Sequence, residues 1–165
     1  MISIETIEEN LIWSQLLPYK THIMNKPTIL FICTHNSARS QMAEGYLKNR
    51  YGDRYTAYSA GTEVTHVHPL AIQVMDEIGI DISNHRSKPL LEFFDTDIDF
   101  VVTVCDGAKS VCPVFPGAKK TIHQGFTDPS SGTGPDEEKL SVFWAVRDEI
   151  MRWIDSNVQS GGVLI

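Results

Sequence analysis

The chain has 165 residues, 42% of them hydrophobic, enough to bury the core of one ordinary domain and too apolar for a disordered chain. A net charge of −7 argues against general affinity for nucleic acid or an anionic membrane, so an anionic ligand must be drawn by a local field. There is no apolar run of about eighteen residues, and Glu5, Glu8 and Glu9 stand where a signal peptide carries positive charge, so a cytoplasmic protein without a membrane span is expected.

Ile4, Ile7, Leu11 and Leu16 form a helical stripe ended by Pro18. Residues 1–23 are therefore read as an N-terminal helical extension, and residues 24–165 as the domain proper. Residues 27–32 (PTILFI) predict a buried strand, and residues 40–48 the helix that follows it. A second strand is expected over 55–61. His68-Pro69 then opens a helix with Ala71, Val74, Met75 and Ile78 on one face, stopped near Gly79. Residues 100–104 (FVVTV) predict a third, fully buried strand and residues 120–123 a weaker fourth. A final helix over about 137–157 carries Leu140, Phe143, Val146, Ile150 and Ile154 at helical spacing. The tail 160–165 is expected to fray. Alternating strands and helices predict a three-layer α/β/α fold on a four-stranded parallel sheet, with ligands at the carboxyl ends of the strands.

The chemistry concentrates in the loop between the first strand and its helix, Cys33-Thr34-His35-Asn36-Ser37-Ala38-Arg39-Ser40. Backbone N–H groups of a short loop and of a first helical turn converge on one point, which makes an oxyanion cradle. The same field, with the Arg39 guanidinium, stabilises Cys33 as a thiolate nucleophile. Asn36 suits such a loop because asparagine tolerates the left-handed backbone that a tight turn around an anion requires.

Three cysteines, an odd number, do not suit a secreted disulfide scaffold. Cys105 and Cys112 have six residues between them and no nearby histidine pair, which speaks against zinc. Cys105 directly follows the third strand, so it should open onto the same sheet edge as Cys33. The small residues after it, Gly107 included, let Cys112 loop towards it. Asp128 lies in a turn, Gly-Phe-Thr-Asp-Pro-Ser, and near the cradle its carboxylic acid could protonate a leaving oxygen.

The cysteine loop, the strand-end Cys-x6-Cys-Pro and the late Gly-Phe-x-Asp-Pro resemble the thioredoxin-coupled arsenate reductases, which share the low-molecular-weight tyrosine phosphatase fold. The resemblance runs in order over about residues 26–157 and includes Arg147-Asp148-Glu149-Ile150. It implies that Cys33 attacks arsenate held by residues 34–40 (Thr34, His35, Asn36, Ser37, Ala38, Arg39 and Ser40), with Asp128 assisting loss of a hydroxyl group. It further implies that Cys105 attacks Cys33 to release arsenite, and that Cys112 then takes over the disulfide for reduction by thioredoxin. Phosphate and sulfate would compete with arsenate. The expected enzyme is a monomer that uses no metal and no organic cofactor, its reducing equivalents coming from thioredoxin. His35 and Ala38 depart from residues common in such relatives, glycine and cysteine, and the three-thiol scheme needs neither. Some relatives bind potassium through positions matching Asn36, Glu44 and Ser59 plus a carboxylate. Lys88 stands in the carboxylate's place, where its ammonium could replace the ion, so a potassium site is not expected. Two rival readings use the same loop: a tyrosine phosphatase acting through Cys33, Arg39 and Asp128, and a non-catalytic phosphate-binding module, which would need no thiolate.

Overall fold

A computed structural model describes residues 26–105 and 115–158 of the protein. The helical extension expected over 1–23, the frayed tail 160–165 and Cys112 lie outside the described residues. Four parallel strands, β1 (Thr28–Cys33), β2 (Thr56–Gly61), β3 (Phe100–Thr103) and β4 (Lys120–His123), form one sheet in the order β2-β1-β3-β4. Register sets Ile32 against Ala60 on one side and Thr103 on the other, so β1 and β3 are neighbours that end together. The helices are α1 (Arg39–Tyr51), α2 (Pro69–Asp76) and α3 (Asp136–Val158). The expected element order is thus present, with α1 starting one residue earlier and ending three later than read from sequence.

Strand alternation divides the core. Ile29, Phe31 and Val102 face α1, α2 and α3, and pack with Met42, Leu47, Val74, Met75, Phe143 and Ile150. Leu30, Ile32 and Val101 face the other way, against Leu90, Phe93 and Phe115. Among the described residues this second face is covered by a 3-10 turn, Leu90–Phe93, and by Phe115. β1 is buried on both faces, as a continuous apolar run in a central parallel strand should be. α2 starts with Pro69 at its first position, and the His68 side chain accepts from Leu70 N–H at 3.1 Å. It stops at Asp76, and Gly79 takes φ +78° just beyond it. α3 buries Phe143, Val146, Ile150, Ile154 and Val158, and Asp136, Glu137 and Glu138 sit in its first turn, where the helix dipole favours acids. Its Asp155 accepts from Tyr46 and Tyr51 of α1, at 2.9 and 2.6 Å. That fastens α1, and with it the loop α1 grows from. No helix among the described residues is long and apolar enough to cross a membrane.

Candidate active site

Cys33 is the last residue of β1 and Arg39 the first of α1, so five residues make the whole connection. The start of α1 has no side-chain cap and no acidic residue in its first turn. Its first N–H groups therefore have no side-chain acceptor of their own and point with the positive end of the dipole towards the loop. Beside them lies a small cavity lined by Cys33, His35, Ser37, Ala38, Arg39, Asp128 and Ser130.

The sulfur is held by donors. Asn36 N–H reaches Cys33 Sγ at 3.2 Å, and Ser40 Oγ lies 2.9 Å from it. Ser40 Oγ also accepts from Asn36 Nδ2 at 2.8 Å, which leaves the hydroxyl hydrogen for the sulfur. Two donors, the Asn36 amide and the Ser40 hydroxyl, therefore face the sulfur. Asn36 adopts φ +50°, the left-handed conformation its residue type suggested. The loop can sit this close to β2 because Gly61 ends that strand: a Cβ there would lie 2.7 Å from Thr34 O and 2.8 Å from Asn36 N.

Arg39 is buried, donates from Nη1 to Phe126 O at 2.9 Å, and places Nη2 3.2 Å from Asp128 Oδ2. Asp128 starts a short 3-10 turn, Pro129–Ser131, and its Oδ1 accepts from Ser130 N and Oγ at 3.0 and 2.7 Å. Partial burial pushes the Asp128 carboxyl up, but the two Ser130 hydrogen bonds and the Arg39 and His35 charges outweigh it and leave the group below the ordinary aspartate value. Negative charge bound beside the carboxyl would act in the opposite direction and raise it.

Of the loop residues, His35, Ser37, Ala38 and Arg39 line the cavity, whereas Asn36 and Ser40 are fully buried behind Cys33. Thr34 uses its carbonyl to accept from Glu63 N–H at 2.8 Å. Cys105 lies two residues beyond β3, half-buried, and like Cys33 forms no disulfide. The bond from Val104 N to Ile32 O, 2.8 Å, carries the β1–β3 pairing to the residue before it. Both thiols thus stand at the carboxyl edge of adjacent strands.

Behind the loop, Lys88 Nζ lies 3.1 Å from Glu44 Oε2, 3.4 Å from Ser59 Oγ and 3.2 Å from Arg86 O. Ser59 also donates to Glu44, and Lys88 N–H donates to Asn36 Oδ1 at 2.8 Å. The ammonium therefore occupies the centre of the Glu44–Ser59 group. Burial pushes the Glu44 carboxyl up, yet Lys88, Lys48 and Ser59 hold it below the usual range. Burial lowers Lys88 more than Glu44 restores it. With three acceptors around Nζ, the pair stands as ionised. Among the described residues no group of three His, Cys, Asp or Glu side chains could hold a metal. Gly61, Gln41 and His85 escaped the sequence reading. Only Gly61 left a trace there, as a glycine closing an otherwise good strand.

Residues 28–152 match the family model of low molecular weight phosphotyrosine protein phosphatase. An arsenate reductase of Halalkalibacterium halodurans is 48% identical over 138 residues, which cover 84% of this chain and 99% of that protein. A structure described as an arsenate reductase in the phosphate binding state superposes with a TM-score of 0.69 at 32% identity, over 81% of this chain and 97% of the other. A thioredoxin-dependent arsenate reductase of Corynebacterium glutamicum gives a TM-score of 0.56 at 26% identity, over 92% of this chain and 72% of the other. With most of its length matched by the family model and by full-length relatives, the chain belongs to the low molecular weight phosphotyrosine protein phosphatase family.

Proposed function

We propose that the protein is an arsenate reductase that works through a three-cysteine cascade and is regenerated by thioredoxin. The observation that carries the reading is a second thiol, Cys105, delivered by β3 to the sheet edge where β1 holds Cys33 beneath an uncapped helix and Arg39. Phosphate-ester cleavage needs the cradle and an acid but no second sulfur, whereas reducing arsenic by two electrons needs two thiols. The 48% identity to an arsenate reductase over nearly its whole length supports the choice of substrate.

The Cys33 thiolate attacks the arsenic of a bound arsenate, an S–As bond forms, and a hydroxyl group leaves as water with a proton from Asp128. Cys105, as its thiolate, then attacks Cys33 Sγ. The S–As bond breaks, its electron pair stays on arsenic, and As(V) becomes As(III) as the two sulfurs are oxidised to a disulfide. Cys112 attacks Cys105 and expels Cys33, whose surrounding donors make it a good leaving thiolate. Thioredoxin, a dithiol, reduces the Cys105–Cys112 bond. The oxyanion is held by the N–H groups of residues 34–40 and by Arg39, and phosphate and sulfate, with the same tetrahedral shape, compete for the site. No metal is needed, and the Lys88 ammonium serves where a bound cation would otherwise compensate Glu44. The enzyme works as a cytoplasmic monomer.

The test is arsenate-dependent NADPH consumption with thioredoxin and thioredoxin reductase. Consumption that needs all three proteins, with arsenite as product, is expected. No consumption, together with brisk hydrolysis of aryl phosphates, would establish the tyrosine phosphatase reading, which the placement of Asp128 beside Arg39 favours over a mere phosphate-binding module.

A further inference from the structure

Asn36 is the one non-glycine residue with positive φ among the described residues, and both of its nitrogen atoms serve the nucleophile. A left-handed L-residue persists only where its surroundings fix it. Its two oxygen atoms show what does. Asn36 Oδ1 accepts from Gln41 Nε2 at 2.9 Å and from Lys88 N at 2.8 Å, and Asn36 O accepts from Gln41 Nε2 at 3.1 Å and from Ser87 Oγ at 2.8 Å. Gln41 alone grips both the main chain and the side chain of this residue, and it is fully buried. Its Nε2 also reaches Arg86 O at 2.9 Å.

Three oxygen acceptors around one nitrogen fix which way the Gln41 amide is turned, since the flipped amide would set Oε1 against all three. Oε1 is thereby directed at His85 Nδ1, 3.0 Å away. An amide oxygen only accepts, so His85 must donate from Nδ1. Burial lowers the His85 pKa, with Lys48 and Lys88 acting the same way and Glu44 and Asp81 opposing, which agrees with a neutral ring holding its hydrogen there.

We propose that Gln41, oriented by an Nδ1–H donor on His85, is the positioning residue that locks Asn36 in its left-handed conformation and so aims the Asn36 amide and the Ser40 hydroxyl at Cys33. The chain of contacts is His85 to Gln41 to Asn36 to Ser40 to Cys33, and neither Gln41 nor His85 touches the cavity. The inference rests on Cys33 as the nucleophile but not on arsenate as the substrate. Its readout is therefore the alkylation of Cys33, which remains decisive if the arsenate reading fails.

The experiment uses the full chain with Cys105→Ser and Cys112→Ser, so that iodoacetamide reports Cys33 alone, and inorganic phosphate as the protecting oxyanion. Gln41→Leu should weaken phosphate protection at least tenfold and slow alkylation at neutral pH. His85→Leu should give a smaller loss of the same kind, and His85→Asn, which keeps an N–H donor near the Nδ1 position, should restore most of it. Adding His85→Leu to Gln41→Leu should cost nothing further, because His85 acts only through Gln41. In ¹⁵N spectra of the unsubstituted chain, His85 should carry its hydrogen on Nδ1. An Nε2–H tautomer, equal losses for His85→Leu and His85→Asn, or unchanged protection in Gln41→Leu would overturn the proposal. Should Gln41→Leu fail to fold, the two half-buried His85 variants and the tautomer decide the matter.

Discussion

The two edges of one sheet make opposite use of the same backbone. At the amino edge lies a cavity of about 770 Å³, lined by Thr28, Thr56, Tyr58, Asp99 and Lys119 among others. Its charges answer one another: Asp99 accepts from Thr28 N–H at 2.8 Å and pairs with Lys119. At the carboxyl edge the cavity is far smaller, yet it joins a thiol, an arginine, a carboxylate and an uncapped helix start. What sets the carboxyl edge apart is the direction of its peptide dipoles and the donors with no acceptor on their own element. Room for a ligand is secondary.

The largest effect that would sharpen this contrast concerns the acid at the carboxyl edge. Asp128→Asn should lower aryl-phosphate hydrolysis by roughly 10²–10⁴-fold, and less for an activated leaving group. Equal losses for every leaving group would make Asp128 a structural turn, defined by its bonds to Ser130. Next, Arg39→Lys should weaken phosphate protection of Cys33 by about 10–100-fold, because a point charge cannot replace the planar fork that also bonds Phe126 O. Lys119→Ala, at the amino edge, should leave that protection unchanged. A comparable loss from both substitutions would break the comparison, since it would mean that net charge matters and placement does not.

Gly61→Ala tests the backbone approach itself. The added methyl carbon meets Thr34 O and Asn36 N at under 3 Å, so the loop must move. A stability loss of about 1–3 kcal/mol in urea unfolding is expected, with weaker phosphate protection. A variant that is as stable as the parent would show that the loop has slack.

The smallest effect is in pH. The folded Glu44 carboxyl lies below its ordinary 4.5, so the native state gains from ionised Glu44 above that pH and loses the gain as pH falls through the lowered value. The contribution of this group should be level down to about pH 5 and then fall, by at most about 1.4 kcal/mol per pH unit. Glu44→Gln should lower the plateau and flatten the acid limb. An unchanged limb would remove the Lys88–Glu44 pair from the account.

What the sequence made legible follows a physical division. Cys33, Arg39 and Asn36 were readable because an apolar run, a polar loop and a helical pattern meet there, and local spacing alone sets the geometry. The strands were readable because β1 and β3 are buried on both faces and consist of apolar, largely β-branched or aromatic residues. Gln41 and His85 were not, since a glutamine on a helix and a histidine in a loop acquire meaning only when residues 44 positions apart come within 3.0 Å. Gly61 was half legible: a terminal glycine signals a close approach without saying to what.

The central claim is that two thiols at one sheet edge reduce arsenic, and one measurement addresses it directly. Cys112→Ser, given a single equivalent of arsenate without thioredoxin, is mapped by mass spectrometry under non-reducing conditions while arsenite is quantified. The account predicts one equivalent of arsenite, a Cys33–Cys105 disulfide and no further turnover, with Cys105→Ser releasing none. Sustained arsenate reduction by Cys105→Ser, or arsenite formed by Cys112→Ser without the Cys33–Cys105 bond, would contradict it.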